Sequence, residues 1–167
     1  MNKYFILACI VASLVFLYIF KDNHYLHNII NYQTAVNESK RTLTEIEING
    51  VAITVEVAKT EEAIQRGLSG REVLATNHGM LFIFDKGNRY PIFWMKDMKF
   101  PLDIIWINDS TIVDISKNIS NPNPGDTTNL PLYKPGHPAD TILEVNAGFS
   151  DIHNIRVGDL VKYKLEN

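Results

Sequence analysis

The sequence predicts a mainly β protein: a compact antiparallel sandwich or barrel with one or two short helices, preceded by a single N-terminal transmembrane helix. Three observations predict it. Residues 4–20 form an unbroken apolar run. After residue 42, hydrophobic side chains recur with period two in short segments, the spacing of strands with one face buried. Those segments are separated by Asn-Gly, Asn-Asp-Ser and proline-glycine clusters, which turn a chain.

The run from Tyr4 to Phe20 holds only apolar, aromatic or small residues, with Ser13 its one hydroxyl outside the tyrosines. As a helix rising ~1.5 Å per residue it spans roughly 25 Å, slightly less than the ~30 Å hydrocarbon core. Lys3 and Lys21 flank it, and their long stems let the ammonium groups reach the two interfaces. A cleaved signal peptide needs small residues at its exit, and Leu17-Tyr18-Ile19-Phe20 offers none. Ile6-Leu7-Ala8-Cys9 looks like a lipoprotein cleavage box, yet only five residues separate Lys3 from Cys9 and the apolar run continues past it. An uncleaved anchor over residues 1–21 fits best. Lys3 and the free amino terminus precede the run, whereas Lys21 is followed at once by Asp22. This asymmetry puts the N terminus inside and the C-terminal domain outside the cytoplasm.

Residues 22–41 are polar, with Tyr25, Leu26, Ile29 and Ile30 at helical spacing. They read as a stalk, since a coiled coil needs more repeats. The domain, residues 42–167, opens with two period-two segments around Asn49-Gly50, the strongest short-range hairpin signal because both turn residues tolerate positive φ. Thr60 can cap a short helix whose first turn carries Glu61 and Glu62, and Gly67 and Gly70 limit its length. Further strands are predicted at Met80–Phe84, Ile92–Lys96, Ile104–Ile107, Thr111–Ile115, Thr141–Val145 and Leu160–Leu165, with Asn108-Asp109-Ser110 as a second hairpin turn. The stretch from Lys117 to Asp140 carries Pro122, Pro124, Pro131, Pro135 and Pro138, and reads as a long loop of the kind that is often functional.

Composition excludes several functions. With 16 Lys+Arg against 19 Asp+Glu the net charge is −3, and nothing favours nucleic acid as a partner. Cys9 is the single cysteine, so the domain has no disulfide, no cysteine nucleophile and no cysteine-based zinc site. His24, His27, His78, His137 and His153 form no ligand pair within the domain, and neither a metal nor a cofactor is expected. Gly67-Leu68-Ser69-Gly70-Arg71 approaches the nucleophile elbow Gly-x-Ser-x-Gly. Arg71 occupies the fifth position, however, and the segment follows a helix where the elbow follows a strand, so a glycine-rich helix exit is the better reading. Asn37-Glu38-Ser39, Asn108-Asp109-Ser110 and Asn118-Ile119-Ser120 match the N-glycosylation acceptor, which is unsurprising in an Asn-rich chain.

The candidate ligand-binding residues are Arg66, Arg71, Trp94, Lys96, Asp103, Tyr133 and Glu144. On a strand Trp94 and Lys96 share one face, and a ring beside a charge is a common pocket mouth. Core packing of Phe93 and Trp94 is the plainer reading. Arg66 and Arg71 flank the helix exit and can either be solvated or clamp a carboxylate. Asp103, Asp114 and Glu144 lie within or beside apolar strands; two of them in one cleft would suit a two-carboxylate hydrolase. Tyr133 lies in the proline-rich stretch, which could act as a lid.

A series of short motifs then occurs in order: Arg66-Gly67-Leu68, Gly79-Met80-Leu81-Phe82, Phe93-Trp94-Met95-Lys96, Pro101-Leu102-Asp103, Pro138-Ala139, Leu143-Glu144 and Gly158-Asp159. Over roughly Glu47 to Lys164 this series resembles the family known as domain of unknown function 192. Ser69, where many members carry Met, and Met98, where a polar residue is usual, depart from it. The resemblance implies a small, compact, β-rich prokaryotic protein that is secreted or membrane-anchored, and it implies no catalytic residue. Three functions are therefore expected, in this order: a membrane-anchored module binding a small polar or anionic envelope ligand, a saccharide or a carboxylate; a subunit docking onto another envelope protein; and a hydrolase. The partners expected are the membrane, through the N-terminal helix, and that ligand or protein.

Overall fold

The computed structural model describes residues 43–84, 89–123, 126 and 129–164. The expected anchor and stalk lie outside the described residues, and among the described residues no helix is long and apolar enough to cross a membrane.

Seven strands form one sheet: β1 (Leu43–Ile48), β2 (Val51–Ala58), β3 (His78–Ile83), β5 (Leu102–Asn108), β6 (Thr111–Ile119), β8 (Thr141–Asn146) and β9 (Val161–Tyr163). Their order across the sheet is β6-β5-β8-β3-β2-β1-β9. A separate two-stranded ribbon pairs β4 (Phe93–Trp94) with β7 (Leu132–Tyr133). Two short helices, α1 (Glu61–Arg66) and α2 (Phe149–Ile152), complete the described elements.

The sheet is a curled half-barrel because its two edges approach each other. Thr111 at the start of β6 bridges Leu160, just before β9. Beside that bridge, Ile112 N–H donates to the Asp159 carbonyl (2.9 Å) and Val161 N–H to the Ser110 carbonyl (2.8 Å). The curled interior is apolar, with Ile46, Ile48, Ile53, Val55, Leu81, Ile105, Leu143 and Val145 all buried, and Phe149 of α2 and Ile155 pack against them.

The predicted turns are in place. Asn49 and Gly50 both have positive φ (53° and 80°), as the tight β1–β2 hairpin requires. Asn49 also donates from its side chain to Asp159 Oδ2 (2.7 Å), tying this turn to the approach to β9. Asp109 and Ser110 turn β5 into β6. Thr60 caps α1, its hydroxyl accepting from Ala63 N–H at 3.2 Å.

The all-antiparallel expectation needs correction. β2 and β3 run parallel, and the crossover through residues 59–77 that parallel pairing demands contains α1. The proline-rich stretch contains β7, which had no sequence signal beyond Leu132-Tyr133 itself. The predicted strand Ile92–Lys96 contracts to Phe93–Trp94 because the chain turns immediately afterwards: Met98 N–H donates to the Met95 carbonyl (3.1 Å) and Asp97 has φ 57°.

On the side of β1 that pairs with β9, the strand carries acids that meet lysines in and just after β9. Glu47 pairs with Lys162 (2.7 Å), and Glu45 with Lys164.

One buried carboxylate organises the far side of the sheet. Asp103 on β5 is fully buried, and its oxygens accept from three backbone groups: Asn118 N–H (2.8 Å), Gly148 N–H (3.1 Å) and Ser150 N–H (2.9 Å). Asn118 sits at a bulge in β6, with φ 52°, where its N–H leaves the ladder. Gly148 and Ser150 belong to the first turn of α2, whose N–H groups have no intrahelical acceptor. Replacing Asp103 by alanine strands three donors in the interior at about 1–3 kcal/mol each. We therefore expect Asp103→Ala to lose at least about 3 kcal/mol in urea unfolding, with Asp103→Asn losing less; a loss below about 1 kcal/mol for the alanine variant would refute the assignment.

Candidate functional site

Register sets the site. Glu56 on β2 lies opposite Met80 on β3, Met80 opposite Glu144 on β8, and Glu144 opposite Ile104 on β5. These residues form a row across the outer face of the sheet, and Glu144 sits in its middle. The outer face is itself apolar here: Met80, Phe82, Ile104, Trp106 and Ile142 are buried beneath Leu68, Met95 and Met98.

The cover over this face is held together by two hydrogen bonds. Ser69 Oγ donates to the Lys96 carbonyl (2.8 Å) and Gly70 N–H to the Asp97 carbonyl (2.9 Å). The α1 exit is thereby fastened to the turn after β4. Gly67 ends α1 at φ 50°, and a Cβ there would meet the Phe82 ring at 3.4 Å. Glycine suits both the backbone and the close approach.

Between α1, its exit turn, β3 and β4 lies a cavity of about 340 Å³. Its wall is largely apolar and aromatic, built by Ile64, Leu68, Phe82, Phe84, Phe93, Trp94 and Met98; Glu61, Arg66, Ser69 and Glu144 are among its polar groups. Phe93 stands edge-on to Phe82 (centroids 4.9 Å, planes at 88°) and to Phe84 (6.4 Å, 75°).

Glu144 is the chemically unusual group. It is 5% exposed, yet its carboxyl has no hydrogen-bond partner among the described residues. Burial pushes its pKa up to about 8, and the nearby Arg71 guanidinium only partly offsets this. Near neutrality Glu144 is therefore mostly a neutral carboxylic acid at the edge of an apolar cavity. Other buried acids are satisfied within the fold: Asp103 by three N–H groups, and Asp140 by Asp109 N–H (3.1 Å) and the Thr141 hydroxyl (3.0 Å).

The sequence-derived candidates separate. Arg66, Trp94 and Glu144 all line the cavity. Lys96 places its ammonium 5.8 Å from the centre of the Trp94 ring. Arg71 is not free to clamp a ligand carboxylate, because it makes a bidentate pair with Glu56 (2.5 and 2.7 Å). Asp103 faces the other side of the sheet and is fully engaged there. Tyr133 pairs with Phe93 across the ribbon and packs on the outer core without lining the cavity. The three acids considered for hydrolysis do not converge. Asp103 and Glu144 lie on opposite faces, and Asp114 accepts from Ile115 N–H (2.8 Å) and Gly136 N–H (2.7 Å). Among the described residues, no group of three or more His, Cys, Asp or Glu can hold a metal ion. The aromatic wall of Phe82, Phe84 and Phe93 is missed by sequence reasoning. Its signal was the run Met80-Leu81-Phe82-Ile83-Phe84, apolar on both faces of a strand, which requires a second covering layer.

The raised pKa of Glu144 has a consequence for stability. Folded, the group holds its proton up to about pH 8; unfolded, it releases it near the ordinary glutamate value of 4.5. Between those limits the folded state binds one more proton, so its contribution is complete at low pH and is lost as pH rises, at about 1.4 kcal/mol per pH unit. Glu144→Gln, which cannot ionise, should melt close to wild type at about pH 5 and above it at about pH 8. Parallel pH profiles for the two proteins would show that the carboxyl is solvated.

Two solved structures share this fold. A Sinorhizobium meliloti 1021 protein, provisionally described as a transcription regulator, is 28% identical at a TM-score of 0.65, over 74% of this chain and 95% of that one. A Novosphingobium aromaticivorans DSM 12444 protein of unknown function is 25% identical at a TM-score of 0.63, over 72% of this chain and 84% of that one. No curated protein matches the chain. The model of the family DUF192, described as Uncharacterized ACR, matches residues 44–163, which is nearly the whole β-rich domain, and the chain belongs to that family.

Proposed function

We propose that this protein is a membrane-anchored binding module, held by residues 1–21 with its β-rich domain outside the cytoplasm, and that it takes a small envelope ligand into the cavity beside α1. One observation carries the reading: Glu144, a buried carboxyl unpartnered among the described residues, opens onto a cavity whose other walls are largely aromatic and aliphatic. Such a group costs stability unless something completes its hydrogen bonding. Binding sites of this kind are concave, mainly apolar, and carry a few polar groups that fix orientation. A volume of about 340 Å³ suits a small ligand with a compact apolar body and one polar head. The net charge of −3 disfavours a nucleic-acid ligand.

A second reading, docking onto another envelope protein, has one observation in its favour. Tyr90, Ile92, Trp94 and Leu132 leave half or more of their surfaces exposed on and beside the β4–β7 ribbon. Apolar groups gathered in this way mark interaction surfaces when they form a continuous patch.

The two readings are separated by a thermal-shift screen on the full-length chain with small amines, saccharides, carboxylates and short peptides. A ligand present at ~100 times its dissociation constant raises stability by about 2.7 kcal/mol. We expect one class to raise the melting temperature and the shift to vanish in Trp94→Ala and Glu144→Gln. A flat result across the panel would refute the small-ligand reading and favour the docking surface, which cross-linking then tests.

A further inference from the structure

We propose that the cavity beside α1 is a receptor site for a small organic ammonium ion, with Glu144 as its counter-ion and Phe82, Phe84, Phe93 and Trp94 as its wall. This rests on the ligand-binding reading of the same cavity and names the ligand class.

Charge is the first argument. Lys96 lies outside the cavity lining, over the Trp94 ring, and the other ionic groups at and behind the cavity offset one another. Arg71 is bidentate with Glu56, and Glu61 and Arg66 line the cavity with opposite signs. What remains within the lining is the carboxyl of Glu144, and ionising it leaves the lining with one more negative than positive charge. A ligand monocation offsets that charge, whereas a ligand anion would face both Glu61 and Glu144 with Arg66 as the lining's one guanidinium.

The wall is the second argument. Aromatic faces attract alkylated ammonium ions through the ring quadrupole, most strongly when water is excluded, and rings grouped around a cation are the usual receptor for quaternary ammonium. Four aromatic residues line this cavity, and their rings are not stacked: Phe93 lies at steep angles to both Phe82 and Phe84. The Trp94 ring already holds a cation, the Lys96 ammonium at 5.8 Å. A metal cation is a poor alternative. Hard divalent ions need several oxygen ligands, and among the described residues no cluster of acids or histidines provides them.

Binding must displace the proton of Glu144, and this gives the proposal a sign. The charged groups facing Glu144 are Arg71 with its partner Glu56, and Glu61 and Arg66 from α1. Below about pH 8 the affinity for an ammonium ion should rise about tenfold per pH unit, levelling off above. A neutral ligand that accepts a hydrogen bond from protonated Glu144 would bind with constant affinity below about pH 8 and more weakly above it.

The experiment is calorimetric titration of the full-length chain with choline and with 3,3-dimethyl-1-butanol, the uncharged isostere in which carbon replaces nitrogen. Glucose and acetate serve as neutral and anionic probes, and all are measured at about pH 6, 7 and 8. We expect choline to bind at least about tenfold more tightly than its isostere, as a desolvated cation–π and ion-pair site requires. Choline affinity should increase with pH and the heat should depend on buffer, reporting proton release. In Glu144→Gln, choline should fall to the affinity of the isostere; retained binding of the isostere verifies that the variant is folded. Equal affinities for the two isosteres, choline affinity falling with pH, or unchanged choline binding by Glu144→Gln would each overturn the proposal. Binding of glucose or acetate without choline would overturn the ammonium assignment and leave the cavity as a ligand site. No binding by any probe would overturn both.

Discussion

The burial of the central strands on both faces governs this domain. β3, β5 and β8 carry apolar side chains alternately into the half-barrel and out of it, so that Leu81, Ile105 and Leu143 face the interior while Phe82, Trp106 and Ile142 face outward. A one-layer sheet would leave the second set in water, at roughly 25 cal/mol for each Å² exposed. The outward residues therefore require a cover. α1, its exit turn, the β4–β7 ribbon and the turn at Met95–Met98 provide it. Because the cover is assembled from short pieces fastened by a few hydrogen bonds, it does not fill the space completely, and the cavity is what it leaves open. The cavity is thus a by-product of how the outer layer is built, with a strand residue, Glu144, forming part of its lining.

Two buried acids show how differently one fold can treat the same chemistry. Asp103 and Glu144 belong to neighbouring strands and point to opposite faces. The first is surrounded by backbone N–H groups that a bulge and a helix start would otherwise leave unsatisfied, and it makes those irregularities possible. The second is surrounded by hydrocarbon and rings, and its ionisation is opposed by burial. A carboxyl satisfied from within is architecture, while one left unsatisfied in an open cavity is available to something from outside.

What could be read from the chain beforehand follows the range of the interactions concerned. The β1–β2 hairpin, the Asp109-Ser110 turn and the Thr60 cap depend on residues adjacent in sequence, and each was legible. The parallel pairing of β2 with β3 and the ribbon strand Leu132–Tyr133 depend on partners far along the chain, and neither was. Of the residues chosen by type as ligand-binding candidates, Trp94, Arg66 and Glu144 line the cavity. Asp103 was chosen on the same grounds and belongs elsewhere, because a polar residue inside an apolar strand looks alike whether its oxygens meet a ligand or backbone amides. Arg71 was misread for a similar reason: its partner Glu56 lies on β2, before α1. The residue types were visible, but the face each occupies was fixed by strand register, which no local pattern encodes.

The pairing of the last strand with the first has a consequence for how the protein is made. β9 adds to the side of β1 that β2 leaves free, so that side stays uncovered until residues 161–163 have been made. Until then a growing polypeptide exposes a strand edge capable of joining a neighbouring copy. Glu45 and Glu47 on β1 put negative charge along that edge, which disfavours its pairing with the same edge of a second copy. When Lys162 and Lys164 arrive, the same two acids change from a deterrent into a match, and the charge pattern admits the chain's own end in preference to a stranger's.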